Sequence, residues 1–464
     1  MTFVSAPNPP NAFFRTMPSL QRPHGNALVR GGLTFALTLF TGSALAGWVL
    51  APNLIANQNP SLESGQRAIH SILERAGDQA AAEISRLGGE AVEPLWDLVA
   101  SGEWPQKSGK PDRPERVSEA HMASILGALS LLRDPYALDR AQRALASTED
   151  GAGDRVTALH VLATIGKAED MPLALALGSA PVGKLQRAID FWFGKAVMGI
   201  LVRDERGYAS LAEAWEEAVS PTIEGTLLET LREVHTPESL ELLMGRIQAA
   251  VDPNPAALTS LYRLAAELPV LPAGLSLTPI QRLLSHHAAT IRAKAAMCLG
   301  SMDDFESVES LIGLLQDEAK EVREYANLAL RRLSGRGFAI DPVRWTAWHR
   351  GEQTWWQADG RDALQELKSF DQGKTLAAAF QLSQHRIFAS EFVPELVGRL
   401  QEGSPEFQVS VCQALGQTGH RAAVPGLLRQ LSSSNDRVKA AALIALRGIT
   451  GRRDSELWAL ADKP

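Results

Sequence analysis

Cysteine is nearly absent from this chain: Cys298 and Cys412 are the only two in 464 residues. That excludes a disulfide framework as the basis of the fold, and any zinc site built on paired cysteines. Both lie in apolar, helix-patterned stretches and read as buried thiols. Tyrosine is also scarce, with four copies, and aromatic residues make up 6%. The 45% hydrophobic content is therefore chiefly Ala, Leu and Val, a helix-forming mixture. No long run of Lys or Arg occurs, and 46 basic residues against 53 acidic ones give a net charge of −7. Recognition of a phosphate backbone needs a basic face, so nucleic acid is not expected as a partner.

Signatures of catalysis are missing too. There is no His-Glu-x-x-His, no Gly-x-Ser-x-Gly elbow, and no local base beside either cysteine. Gly178-Ser-Ala-Pro-Val-Gly183-Lys184 has the spacing of a phosphate-binding loop. However, Leu185 follows where Ser or Thr should hold magnesium, and MPLALALG before it reads as helix rather than strand. Among the ten histidines the one cluster is His286-His287, which reads as a solvated turn between helices rather than a metal site. No catalytic residue, cofactor or metal is expected.

What is present begins with the uncharged run Gly31–Ala51, GGLTFALTLFTGSALAGWVLA. Arg15, Arg22 and Arg30 precede it, and the first acidic residue of the chain is Glu63. Positive charge on the N-terminal side marks a targeting segment that places the remainder outside the cytoplasm, in the periplasm or cell envelope. Two readings stand. One is a signal peptide, residues 1–46, cleaved after Ala44-Leu45-Ala46. The other is an uncleaved anchor helix that tethers the chain to a membrane through residues 31–51. Met17 would begin a signal of more usual length than Met1. Removing residues 1–46 takes three arginines and no acid, leaving 43 basic and 53 acidic residues, net −10.

The rest is repetitive. Apolar anchors at Ile291, Ala295 and Leu299 return at Val322, Ala326 and Leu330, and again at Phe407, Val411, Leu415 and Val438, Ala442, Leu446, each time with a 31-residue step. Spacing of i, i+4, i+8 marks one face of a helix, with small Ala where neighbours approach. Between each pair lies a second helical stretch, FESVESLIGLL from Phe305 and AVPGLLRQL from Ala423. Paired helices at such a period stack into a solenoid. Asp317 before EVREYANLALRRL and Asp436 before RVKAAALIALRGI resemble the Asp, Val-Arg, Ala-x-x-Ala-Leu pattern of HEAT repeats. Weaker copies start at Ala91, Ala158 and Thr236. The resemblance spans residues 66–464 and implies an all-α fold, an α-solenoid of stacked antiparallel helix pairs, armadillo-like, following the N-terminal apolar segment.

A larger duplication overlies the repeat. LRRLSGR at 330–336 is echoed by LRGITGR at 446–452, an offset of 116 that the helix anchors share, and each copy continues to Asp, three residues and Trp. The organisation expected is an N-terminal array at 62–335 with a loop at 101–118, a Trp-rich insert or cap at 336–373, and C-terminal repeats at 374–464 that copy 278–348. The Pro-rich stretch 251–278 is also expected to be loop.

Two groups of side chains stand out. Trp345 and Trp458 recur at equivalent places and are expected to close repeat stacks, whereas Trp348, Trp355 and Trp356 are candidate anchors for a partner. Arg292, Arg323 and Lys439 each follow the first apolar anchor of a repeat. They would form a ladder, either internal, bonding Asp317 or Asp436 as the HEAT resemblance implies, or facing an anion in the groove. The function expected is a non-catalytic extracytoplasmic scaffold that holds a protein or envelope component along its helical groove. The alternatives are a groove-active enzyme, as in the HEAT-like bilin lyases and alkyl-base glycosylases, or a structural subunit of an envelope assembly.

Overall fold

The computed structural model describes residues 60–104, 116–147, 151–176, 186–216, 220–272 and 274–461. The apolar run 31–51 with its two readings, the Gly178–Lys184 stretch and most of the loop at 101–118 lie outside these residues. Among the described residues every regular element is helical, apart from one antiparallel bridge between Glu103 and Arg116. No described helix is long and apolar enough to cross a membrane.

Proline placed just behind a polar cap starts many of these helices. Asp134, Thr236, Asn254, Asp341 and Ser404 each accept a backbone N–H from the first turn, and a proline follows each. Its missing N–H is harmless at that position and its φ is already helical. This corrects one expectation. Residues 251–278 are not loop throughout but hold the helix Pro255–Glu267, because Pro255 initiates structure where a sequence reading takes it as a breaker.

The described helices fall into two compact units that divide between Val234 and His235, so the sequence boundary at 335/336 lies inside the second. In the first unit Ala152–Ile165 packs on Gln186–Arg203, which packs on Pro221–Val234. Arg203 donates to the carbonyls of Leu162, Ala163 and Gly166 at 2.9, 2.7 and 3.2 Å, satisfying the open C-terminal end of the neighbouring helix. Trp96 and Trp215 are buried in this unit.

The second unit repeats the pattern. Pro255–Glu267, Ala289–Ser301 and Lys320–Ser334 stack in series, and so do Gln372–Ser383, Pro405–Thr418 and Asp436–Thr450. The duplication is visible as contact. At Gly300 an added Cβ would lie 2.7 Å from Ala329 Cβ, and at Gly416 it would lie 3.0 Å from Ala445 Cβ. Both pairs obey the 116-residue offset, so each copy brings its helices together at the same small residues. Cys298 and Cys412 are buried and free, and burial pushes both thiols up to about 12, as the apolar setting of each predicts.

Linear solenoids contact only their neighbours, but the second unit also closes across its own length. Arg421 donates through Nε to Asp303 at 3.0 Å, through Nη1 to the Ala265 and Leu268 carbonyls at 2.7 and 3.3 Å, and through Nη2 to the Ser301 carbonyl at 2.7 Å. Phe305 stacks on His420 with centroids 5.5 Å apart. By the 116 offset, Asp303 corresponds to Gly419 and Phe305 to Arg421. The same turn of each copy therefore faces the other. Asp303 adopts φ +57°, as Gly419 adopts +65°, a conformation that Asp tolerates better than most residues.

Candidate partner-binding surface

The helix Pro342–Trp355 does not end at Trp355. It passes through one π-helical turn, Trp356–Gly360, into Arg361–Glu366. Such a turn carries one residue more than an α-turn and recurs at functional sites. The crowding at Gly360 is visible: a Cβ there would lie 2.5 Å from Trp356 Cε3 and 2.9 Å from Trp355 Cζ3. Only glycine lets the chain pass beneath both indoles.

Each indole is held from one side. Trp355 stacks on His385 with centroids 3.4 Å apart and planes 6° from parallel, and Trp356 stacks on Phe388 at 4.4 Å and 13°. Both tryptophans remain half-buried, so each ring is fixed in orientation while part of it stays at the surface. His385 is itself braced, with Nδ1 at 2.7 Å from Oε2 of the buried Glu352, and Arg336 stands 3.8 Å from the same carboxylate. Residues 336–373 also expose Ile340, Val343 and Phe370, the last completely.

The remaining tryptophans separate. Trp345 is fully buried, and its Nε1 donates to Asn327 Oδ1 at 2.9 Å and the Ala339 carbonyl at 3.0 Å. It is structural. Trp348, half-buried and edge-on to Trp345 at 5.5 Å, has an Nε1 that is buried without a partner among the described residues. Trp458 differs from its counterpart and is 39% exposed. The physical reason is local: the 116 offset places Leu443 where Asn327 accepts the Trp345 N–H, so the second indole has no polar group there to draw it inward.

The basic ladder is largely internal. Arg292 donates from Nε and Nη2 to the Asp317 carboxylate at 2.7 and 2.9 Å, and from Nη1 to the carbonyls of His286 and His287. Asp317 is held below the usual carboxylate range by the Arg292 guanidinium. Arg323 repeats the pattern one step on, with Nη1 on the Asp317 and Glu318 carbonyls. Lys439 makes only a local pair with Asp436 at 3.2 Å. Arg292 and Arg323 thus use their donors on the repeat turns.

Beside those turns Asp252 Oδ1 lies 3.1 Å from His286 Nε2 and 3.8 Å from His287 Nε2, a trio of ligand-type atoms that the sequence, 34 residues apart, does not disclose. His286 Nδ1 accepts the Ala288 N–H at 3.1 Å, which puts the ring proton on Nε2 and makes it a donor to Asp252. The contact ties two turns together.

Glu352, His385 and Gly360 were not singled out from sequence. His385 follows Glu352 by 33 residues, a separation that helical periodicity does not resolve.

Residues 361–460 match the family model described as HEAT repeats. No curated protein matches the chain. Among solved structures, an engineered protein is similar at 17% identity, with 84% of this chain and 99% of that one covered and a TM-score of 0.28. A mutant of Kap121p is similar at 12% identity over 87% of this chain and 51% of its own, with a TM-score of 0.29. Human deoxyhypusine hydroxylase in complex with glycerol is similar at 18% identity over 58% of this chain and all of its own, with a TM-score of 0.20. At these identities and scores, none of the three bears on function.

Proposed function

We propose that this chain, a HEAT-repeat α-solenoid protein, is a non-catalytic scaffold that works outside the cytoplasm and holds a protein or envelope partner on the surface around Trp355 and Trp356. The observation that carries the reading is the pair of indoles at the π-helical turn, each stacked on one side by His385 or Phe388 and each still partly at the surface. Large rings with fixed orientation lose little entropy when a partner covers them, which is why Trp dominates binding hot spots. The exposed Phe370 and Val343 in the same segment add apolar area of the kind that marks docking surfaces.

Placement outside the cytoplasm is supported by the uncharged 31–51 run behind three arginines. Mass spectrometry of the native N-terminus separates its two forms, Gly47 for a cleaved signal and an intact start for a tether. The binding role is tested by affinity capture from an envelope extract with the wild type and a Trp355→Ala/Trp356→Ala variant. The proposal expects at least one specific partner to be lost from the variant, and identical partner sets would remove these residues from the role.

A further inference from the structure

We propose that the convergence of Arg332, Arg386 and Arg421 around Asp303, where the two duplicated turns face each other, is a binding site for a phosphate group. The inference does not depend on the scaffold reading.

The three guanidinium groups differ in how they are occupied. Arg421 uses its donors on Asp303 and on the carbonyls of Ala265, Leu268 and Ser301. It thereby covers the electronegative ends of two helices and leaves the neighbouring space without free acceptors. Arg386 packs against the turns at Gly335 and Gly419: a Cβ on those glycines would lie 2.9 Å from its Nη1 and 2.4 Å from its Nη2. Its Nε is buried with no hydrogen-bond partner. Arg332 likewise has no hydrogen bond or ion pair among the described residues, and it is open to solvent although surrounding protein mass pushes its guanidinium below the usual value. That combination describes a side chain lining a concavity. A buried guanidinium N–H left without an acceptor is costly and calls for a missing partner.

Charge indicates which partner. Asp303 acts on Arg332, Arg386 and His420, and Arg421 acts on Arg332 and His420. Burial lowers the pKa of His420, so the ring adds no positive charge at neutral pH. Three guanidinium groups against one carboxylate leave two positive charges uncompensated, in a chain whose net charge is −7. A carboxylate would balance one of them. A phosphate or phosphate monoester, close to dianionic at neutral pH, balances both and offers enough oxygens for forked Arg donors. The site also has strained backbone on its floor: Asp303 holds φ +57° where the other copy has glycine, and in doing so places the one carboxylate that steadies Arg421.

The full chain is titrated calorimetrically, and its melting temperature followed, with sodium phosphate, glycerol phosphate and sodium acetate at matched ionic strength. Arg332→Gln and Arg386→Gln are measured alongside Lys320→Gln, an exposed control. The proposal expects saturable phosphate binding with a rise in melting temperature, little response to acetate, and a loss of affinity of about tenfold or more in both arginine variants but not in Lys320→Gln. Stronger binding of glycerol phosphate than of inorganic phosphate would assign the site to a phosphate monoester on a larger ligand, and the reverse to free phosphate. A melting temperature indifferent to both phosphates, or a response that Arg332→Gln and Arg386→Gln retain, overturns the proposal. If a variant fails to fold, the wild-type contrast between phosphate and acetate still decides.

Discussion

Arg421 pairs with Asp303 at 3.0 Å across 118 residues of sequence, and the two stand in turns that the duplication makes equivalent. Both side chains are largely buried, at 11% and 15% exposure, so removing one partner strands a charge in a poorly solvated place. Arg421→Ala is expected to destabilise the protein by about 3 kcal/mol in urea unfolding. Asp303→Ala and Asp303→Gly both leave Arg421 unpaired, but glycine accepts the positive φ freely. Asp303→Gly should therefore be the milder change by about 1 kcal/mol, and equal midpoints would refute the strain at this turn.

The two close helix crossings predict opposite signs for chemically identical substitutions. At Gly300 the added methyl meets Ala329 at 2.7 Å, and at Gly416 it meets Ala445 at 3.0 Å. Gly300→Ala should cost about 1–3 kcal/mol and Gly416→Ala less. Gly313 lies in the helix Val308–Leu314 with open space beside it, so Gly313→Ala should stabilise by up to about 1 kcal/mol. The denaturation midpoints of the three variants check the ordering.

Trp345 and Trp458 look interchangeable in sequence and are not in structure. Trp345→Ala is expected to cost about 3–5 kcal/mol through its cavity and the stranded Asn327 amide. Trp458→Ala, at a 39% exposed ring, should cost well under half of that. Calorimetric melting of the two variants compares them directly, and similar losses would mean that both indoles close repeat stacks equally.

These pairs show how far the sequence could be read. Ile291, Ala295 and Leu299 with their echoes located the inner helices of the second unit, because a buried helical face must repeat its apolar residues at fixed spacing. The offset of 116 likewise placed Gly300 and Gly416 at matching positions. What the pattern could not encode is curvature. Whether Asp303 reaches Arg421, or Trp355 reaches His385, depends on small rotations accumulated over several helix pairs, and periodicity is silent about those. Pro255 was misread for a different reason, since a proline begins or breaks a helix according to the cap before it. The ladder was half legible: Arg292 finds Asp317 as the family pattern implies, whereas Lys439 turns to its own Asp436 because Gln408 occupies the matching position of the preceding repeat.

Acid should weaken the first unit through His160. This ring is buried, lies 3.0 Å from both Ser130 Oγ and the Leu126 carbonyl, and has its pKa lowered from 6.5 to about 4 by burial. Between those values the unfolded chain binds a proton that the folded one refuses. The neutral ring's contribution is therefore complete above about pH 6.5 and lost as the pH falls toward 4, about 3 kcal/mol in all. Urea unfolding from pH 7 to pH 4 should show a slope that His160→Gln reduces, and an unchanged slope would dismiss His160 as its source.

The central claim is that the surface around the paired indoles holds a partner, and it is tested most directly by placing a photoreactive phenylalanine analogue at position 356 of the full-length protein in its native cell. Irradiation is predicted to give a discrete crosslinked product containing a second protein or envelope component, absent when the analogue replaces the exposed Val202 instead. Crosslinking at position 356 that matches the Val202 control, with no discrete product, would contradict the account.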